Sequence, residues 1–145
     1  MKTLFRVPQR VHNGLLVMTY LASNYEAGVP VALEEIAERE HTSQGYLEEI
    51  ALSLKTAGFI EGKRGAKGGY VLTRNPRELT VATILDALDG PVALVDCLMS
   101  DVECPSEHGC SNRKIWKTVQ DKITETLRGI TLADLVTEKY ETTRV

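Results

Sequence analysis

All three cysteines of this 145-residue chain lie in one fourteen-residue stretch, Cys97-Leu-Met-Ser-Asp-Val-Glu-Cys104-Pro-Ser-Glu-His-Gly-Cys110. Cysteines serving as small core residues sit singly on the apolar faces of helices and strands. These three instead lie among Ser100, Pro105, Ser106, Gly109 and four acidic residues counting Asp96, which is the composition of a loop. Whatever the rest of the chain builds must therefore present a thiol-bearing loop, and the stretch reads as a ligand loop.

The chain is long enough for one domain with a real core, or for a small domain carrying an oligomerisation element. With 43% hydrophobic and 26% charged residues it has a globular composition. No run of eighteen apolar residues occurs, and Met1-Lys-Thr-Leu-Phe-Arg lacks the apolar core of a signal peptide, so no membrane association and a cytoplasmic location are expected. An odd number of cysteines in a reducing compartment argues against a disulfide framework and leaves metal binding or redox sensing. The net charge of -3 is unevenly spread. Lys63, Arg64, Lys67, Arg74 and Arg77 cluster against Glu61 alone, whereas Val81 to Cys110 holds six acidic residues and no Lys or Arg. One face can hold phosphates and another cannot.

The periodicity predicts a first amphipathic helix from about Gln9 to Asn24, with Val11, Leu15, Met18, Leu21 and Ala22 on its stripe and Leu16 and Val17 widening it. Gly28 and Pro30 punctuate the turn that follows. A short helix from about Leu33 to Glu40 turns Leu33, Ile36 and Ala37 inward. His41-Thr42-Ser43 breaks it, and either hydroxyl can cap a third helix, whose inward face is Leu47, Ile50, Ala51, Leu54 and Ala57 and which ends at Gly58. Its opposite face shows Gln44, Glu48, Glu49 and Lys55.

Two short helices joined by a tight turn, followed by strand-like Phe59-Ile60, form a helix-turn-helix pattern. The glycine-rich basic turn Glu61-Gly-Lys-Arg-Gly-Ala-Lys-Gly-Gly69 and the apolar Tyr70-Val-Leu72 then complete a hairpin, or wing. Glycine there permits close approach to a phosphate backbone, and Arg64 can enter a minor groove. An ordinary solvated hairpin is the competing reading, weakened by the helix-turn-helix just before it.

Pro76 closes this unit. A helix over Leu79–Leu88, ended by Gly90-Pro91, leads into the cysteine loop. Ser111 is expected to cap a long helix reaching about Arg128, striped by Ile115, Trp116, Val119, Ile123 and Leu127. Thr131 with Asp134 resembles a capping box for a last short helix carrying Leu132, Leu135 and Val136. A long striped helix outside the winged unit has little of its own domain to cover it. A homodimer with twofold symmetry is therefore expected, with Trp116 as an anchor, unless the helix folds back on its own chain. The expected organisation is a winged unit over 1–78, a connecting helix over 79–95, the ligand loop over 96–111 and a dimerisation region over 112–145. The fold class is thus mostly α with a small β-wing, a winged helix-turn-helix plus a long dimerisation helix. No nucleophile, base and orienting group occur together, so catalysis is not expected.

The segments Tyr46-Leu-Glu-Glu-Ile-Ala-Leu-Ser-Leu-Lys-Thr-Ala-Gly-Phe-Ile, Lys63-Arg-Gly-Ala-Lys-Gly-Gly-Tyr-Val-Leu and Leu79-Thr-Val-Ala-Thr-Ile-Leu-Asp-Ala-Leu-Asp-Gly-Pro, with the cysteine loop and the helix after it, closely resemble the bacterial Rrf-two family of transcription regulators, in particular its iron-sulfur, IscR- and NsrR-like branch. The resemblance spans nearly the whole chain. It implies a double-stranded DNA operator as partner, with Ser43 to Glu49 beginning the recognition helix. Glu48 matches the family's base-reading glutamate and Tyr46 its neighbour, Gln44 and Glu49 flank them, and Arg64, between Lys63 and Lys67, matches the wing arginine. A carboxylate can accept from a cytosine amino group, so acidic residues on that helix are no contradiction. Glu49 and Ala66-Lys67 depart from the family's usual residues, which points to a different operator preference.

Thiolates separated by six and then five intervening residues suit an iron-sulfur cluster, either 2Fe-2S or 4Fe-4S, better than structural zinc, which prefers close Cys-x2-Cys pairs. Cys97, Cys104 and Cys110 leave one ligand position open. The resemblance to IscR would place a histidine where this chain has Arg113, which stays protonated and cannot serve. Relatives that borrow a ligand from the partner's first helix point to His12, and His108 is the rival. The expected function is a DNA-binding regulator, repression being the family's commoner mode, whose cluster senses redox state, nitric oxide or iron-sulfur status. The alternative is a cluster-free regulator controlled by cysteine oxidation or by a partner protein; an electron-carrier or cluster-handling role is a more distant one.

Overall fold

A computed structural model describes residues 2–99 and 110–136. Its elements are α1 (Gln9–Ser23), α2 (Leu33–Arg39), α3 (Gln44–Thr56), β1 (Ile60–Lys63), β2 (Gly69–Leu72), α4 (Val81–Asp89), a 3-10 turn (Asp96–Leu98), α5 (Ser111–Arg128) and α6 (Leu132–Leu135). The architecture is mostly α, with one two-stranded antiparallel sheet.

The core collects the inward stripes of α1 to α4 with the base of the hairpin. Val17, Met18, Ile36, Leu47, Ile50, Leu54, Leu79 and Ile84 are essentially inaccessible to solvent. Ala57, expected on the inner face of α3, is exposed, because it is the C-cap and stands past the last buried turn. α2 and α3 end in the same way. Thr42 N–H donates to Ala37 O and Phe59 N–H to Leu54 O, both at 3.0 Å, and the residue before each donor, His41 or Gly58, has positive φ (52° and 81°). This is the Schellman closure of a helix C-terminus. Ser43, rather than Thr42, caps α3, its hydroxyl accepting from Tyr46 N–H at 3.3 Å.

β1 pairs with β2 from Ile60↔Leu72 to Lys63↔Gly69. Val31, between α1 and α2, bridges to Tyr70 through reciprocal N–H···O bonds of 3.0 and 2.9 Å, tying the wing to the helical body.

Two helix starts differ from the sequence expectation. α4 begins at Val81 instead of Leu79, because Thr80 is its N-cap and accepts from Thr83 N–H. Leu79 is fully buried, and its carbonyl accepts from Leu132 N–H at 2.7 Å. Likewise Cys110, not Ser111, caps α5, its sulfur accepting from Arg113 N–H at 3.4 Å. The capping box expected at Thr131 and Asp134 is present. α6 docks back against α1: Leu132 is fully buried, and Ala133 N–H donates to Pro76 O.

α5 buries no residue completely. It leans on α4 and the 3-10 turn, with Leu94 N–H donating to Gln120 Oε1 at 3.0 Å. An open groove of about 850 Å³ runs between α4 and α5, floored by Leu85, Val92, Leu98 and Leu127.

Candidate nucleic-acid interface and cysteine segment

The short turn 40–43 fixes α3 against α2 while the stripe Leu47, Ile50, Ala51 and Leu54 holds α3 in the core. The remaining side of α3 is therefore forced outward, and Gln44, Glu48, Glu49 and Lys55 are all exposed there. Gln44 Nε2 donates to Glu48 Oε1 at 3.4 Å. Among the described residues no cation pairs with Glu48 or Glu49, so both carboxylates keep acceptor capacity toward solvent. Tyr46 differs from its neighbours: it is half-buried and packs against the core.

The wing follows α3 directly, with β1 packed on that helix. Lys63 pairs with Glu61 at 2.9 Å, both about half exposed. Arg64 and Lys67 are exposed at the tip and have no carboxylate partner among the described residues. The glycines that close the hairpin answer to the protein's own backbone: a Cβ on Gly68 would lie 2.3 Å from Lys63 O, and one on Gly69 2.3 Å from Val31 O.

Arg10, which the sequence reading did not single out, joins three helices. Its Nε donates to Leu88 O in the last turn of α4 at 3.3 Å, and its Nη2 to Ser53 Oγ on α3. Beside it, Gly14 lets α1 approach so closely that a Cβ would lie 2.4 Å from Leu88 Cδ1. No spacing rule reveals a bond spanning 78 residues; the only sequence signal is a long cation next to the apolar stripe.

Cys97 lies in the 3-10 turn, which packs on α5, and Cys110 caps α5; both are half-buried and neither is in a disulfide. Cys104 and His108 lie outside the described residues. Among the described residues no three His, Cys, Asp or Glu groups converge on a common point. His12 is exposed on α1, and Arg113 is half-buried on the first turn of α5.

Along α5, Ile115 is 57% exposed, and Trp116, Val119 and Ile123 are only half covered. Trp116 meets Phe5 of the N-terminal segment edge-to-face, ring centroids 6.3 Å apart. Leu4, Phe5 and Val7 are themselves exposed. Among the described residues no helix is long and apolar enough to cross a membrane.

Residues 7–138 match the family model Rrf2, described as an iron-dependent transcriptional regulator. The HTH-type transcriptional regulator CymR of Bacillus subtilis (strain 168) is 35% identical over 122 residues, 84% of this chain and 83% of that protein. A solved structure of CymR, the global cysteine regulator of B. subtilis, matches with a TM-score of 0.75 and 33% identity, covering 90% of this chain and 95% of that one. IscR of T. potens matches with a TM-score of 0.76 and 33% identity, covering 97% and 93%. These relatives are regulators of transcription rather than enzymes, and the chain, a winged-helix DNA-binding transcriptional regulator, belongs to the Rrf2 family.

Proposed function

We propose that this regulator is a cytoplasmic homodimer, acting as a repressor, whose operator affinity is set by an iron-sulfur cluster, 2Fe-2S or 4Fe-4S, held by Cys97, Cys104 and Cys110. The observation that carries the reading is the rooting of the cysteine segment. It leaves the body from a turn packed on α5 and returns at the N-cap of the same helix, so both outer thiols are anchored to one rigid element. The donor set fits such a group: thiolates hold iron-sulfur clusters at irregular spacings, and an anionic group beside Cys110 meets the positive end of an eighteen-residue helix. His12, exposed on α1 and with no side-chain hydrogen bond or ion pair among the described residues, is assigned as the fourth ligand, donated by the other subunit of the dimer. When bound, the cluster supplies a centre that responds to oxidants, nitric oxide or iron-sulfur supply.

On the DNA side, α3 lies in the major groove. Ser43 and Gln44 stand at its N-terminus, Tyr46 braces it, and Glu48 and Glu49 accept from cytosine amino groups. Arg64 enters the minor groove, while Lys63 and Lys67 neutralise phosphates. Releasing Lys63 from Glu61 costs little, because an exposed ion pair contributes at most about 1 kcal/mol. Ile115, Trp116, Val119 and Ile123 form the dimer seam that sets the spacing of the two α3 helices.

A second reading is favoured by the similarity to CymR, a cysteine regulator. In it the same thiols act without a cluster, through oxidation or a partner protein. Purification without oxygen, followed by visible absorption and iron and sulfide assays on wild type and His12→Ala, separates the two. A brown protein with stoichiometric sulfide, altered in the variant, supports the cluster and the borrowed ligand. A brown protein indifferent to the variant moves the fourth ligand to His108 or a carboxylate. A colourless protein that still binds its operator in a thiol-dependent way establishes the second reading.

A further inference from the structure

α3 sorts its apolar residues cleanly with one exception. Leu47, Ile50, Ala51 and Leu54 are 0 or 1% exposed, whereas Leu52 is 65% exposed. It lies one helical turn beyond Glu48 and three residues beyond Glu49, so the helix repeat sets it on the outward face with both carboxylates. Apart from Gly45, which has no side chain, the other exposed residues of that face, Gln44, Lys55 and Thr56 among them, are polar or charged. Nothing in the fold calls for a leucine there. Its carbonyl accepts from Thr56 Oγ1 at 2.8 Å, a backbone contact that any residue would supply.

The major groove offers one apolar group on its base edges, the C5 methyl of thymine. We infer that Leu52 is a specificity-determining residue that packs on a thymine methyl in each half-site. The inference rests on the docking of α3 in the major groove proposed above. Leu52 stands about 6 Å along the helix from Glu48, so with α3 following the groove the thymine lies roughly one or two base pairs from the pair that Glu48 meets. The operator then combines an amino donor with a methyl at fixed spacing, a pattern that neither Glu48 nor the wing can read alone.

The test selects duplexes from a random library with the full chain purified without oxygen. Affinities for the selected site are then measured for wild type, Leu52→Ser and Glu48→Gln, with single thymines replaced by deoxyuridine in one half-site. Both substitutions are at exposed positions, and unchanged thermal melts verify the fold. The expected result is one position at which loss of the methyl weakens wild type by about fourfold, the worth of one buried methyl, and has no effect on Leu52→Ser. Leu52→Ser should also lose base preference there. If every deoxyuridine substitution acts equally on wild type and Leu52→Ser, the inference is overturned. If Glu48→Gln also leaves the selected sequence untouched, the docking of α3 fails with it; if Glu48→Gln changes the sequence while no methyl effect exists, only the role of Leu52 fails.

Discussion

His41 holds a backbone conformation that the homologous corner after α3 gives to glycine, with φ of 52° against 81° at Gly58. A left-handed L-residue costs roughly 1–2 kcal/mol, which the two closing hydrogen bonds of the Schellman turn offset. Thermal unfolding should find His41→Gly within about 1 kcal/mol of wild type and His41→Val destabilised by about 1–2 kcal/mol, since β-branching worsens the same strain. Retained stability in the valine variant would mean that the turn has another conformation open to it. Gly69 is constrained by space instead: its missing Cβ leaves room for Val31 O. Gly69→Ala should break the Val31–Tyr70 bridge, cost about 1–3 kcal/mol and weaken operator binding by freeing the wing; an unchanged melt and affinity would show that the bridge is dispensable. The sequence announced these glycines as a turn. It could not tell a demand from phosphate from a demand by the protein's own carbonyls, because that distinction depends on Val31, about forty residues upstream.

Helix periodicity carried most of the fold, since α1, α3 and α4 bury their inward stripes in one shared core. It carried less for α5 and α6, whose stripes look alike on paper but behave differently. Leu132 of α6 is fully buried against α1, whereas Ile123 of α5 is only half covered. Which surface covers a stripe is a tertiary matter that spacing cannot supply, and the cap of α5 was missed because a cysteine sulfur is an uncommon acceptor beside a serine. The two helices therefore predict opposite outcomes. Leu132→Ala should cost about 2–5 kcal/mol in the unfolding of the protein at any concentration, through the cavity it leaves. In the proposed dimer, Ile123→Asp should leave the fold of each chain intact and shift sedimentation toward the monomer, because the charge would be desolvated between subunits. A soluble, folded dimer of Ile123→Asp would exclude this face as the seam.

At the scale of the molecule, the cysteine segment and α3, the proposed recognition helix, are joined by a short run of structure. The last turn of α4, seven residues before the 3-10 turn carrying Cys97, offers Leu88 O to Arg10, and Arg10 donates onward to Ser53 of α3. Gly14 lets Leu88 press on α1 without a gap, so a displacement of α4 has little slack in which to dissipate. Allosteric coupling free energies of about 1–3 kcal/mol correspond to about a 5- to 150-fold change in affinity, which a few charge-assisted hydrogen bonds can carry. With the cluster proposed above, the expected behaviour is thus separable into two quantities, operator affinity and its ratio between the cluster-bearing and cluster-free forms. Arg10→Ala, measured in both forms against one operator, should retain sequence-specific binding while bringing that ratio toward one. Ser53→Ala should do the same in part, and the double variant should add little to Arg10→Ala, because both remove one connection. If both forms lose affinity equally and the ratio survives, Arg10 only holds α3 in place, and the signal must pass between subunits through α5.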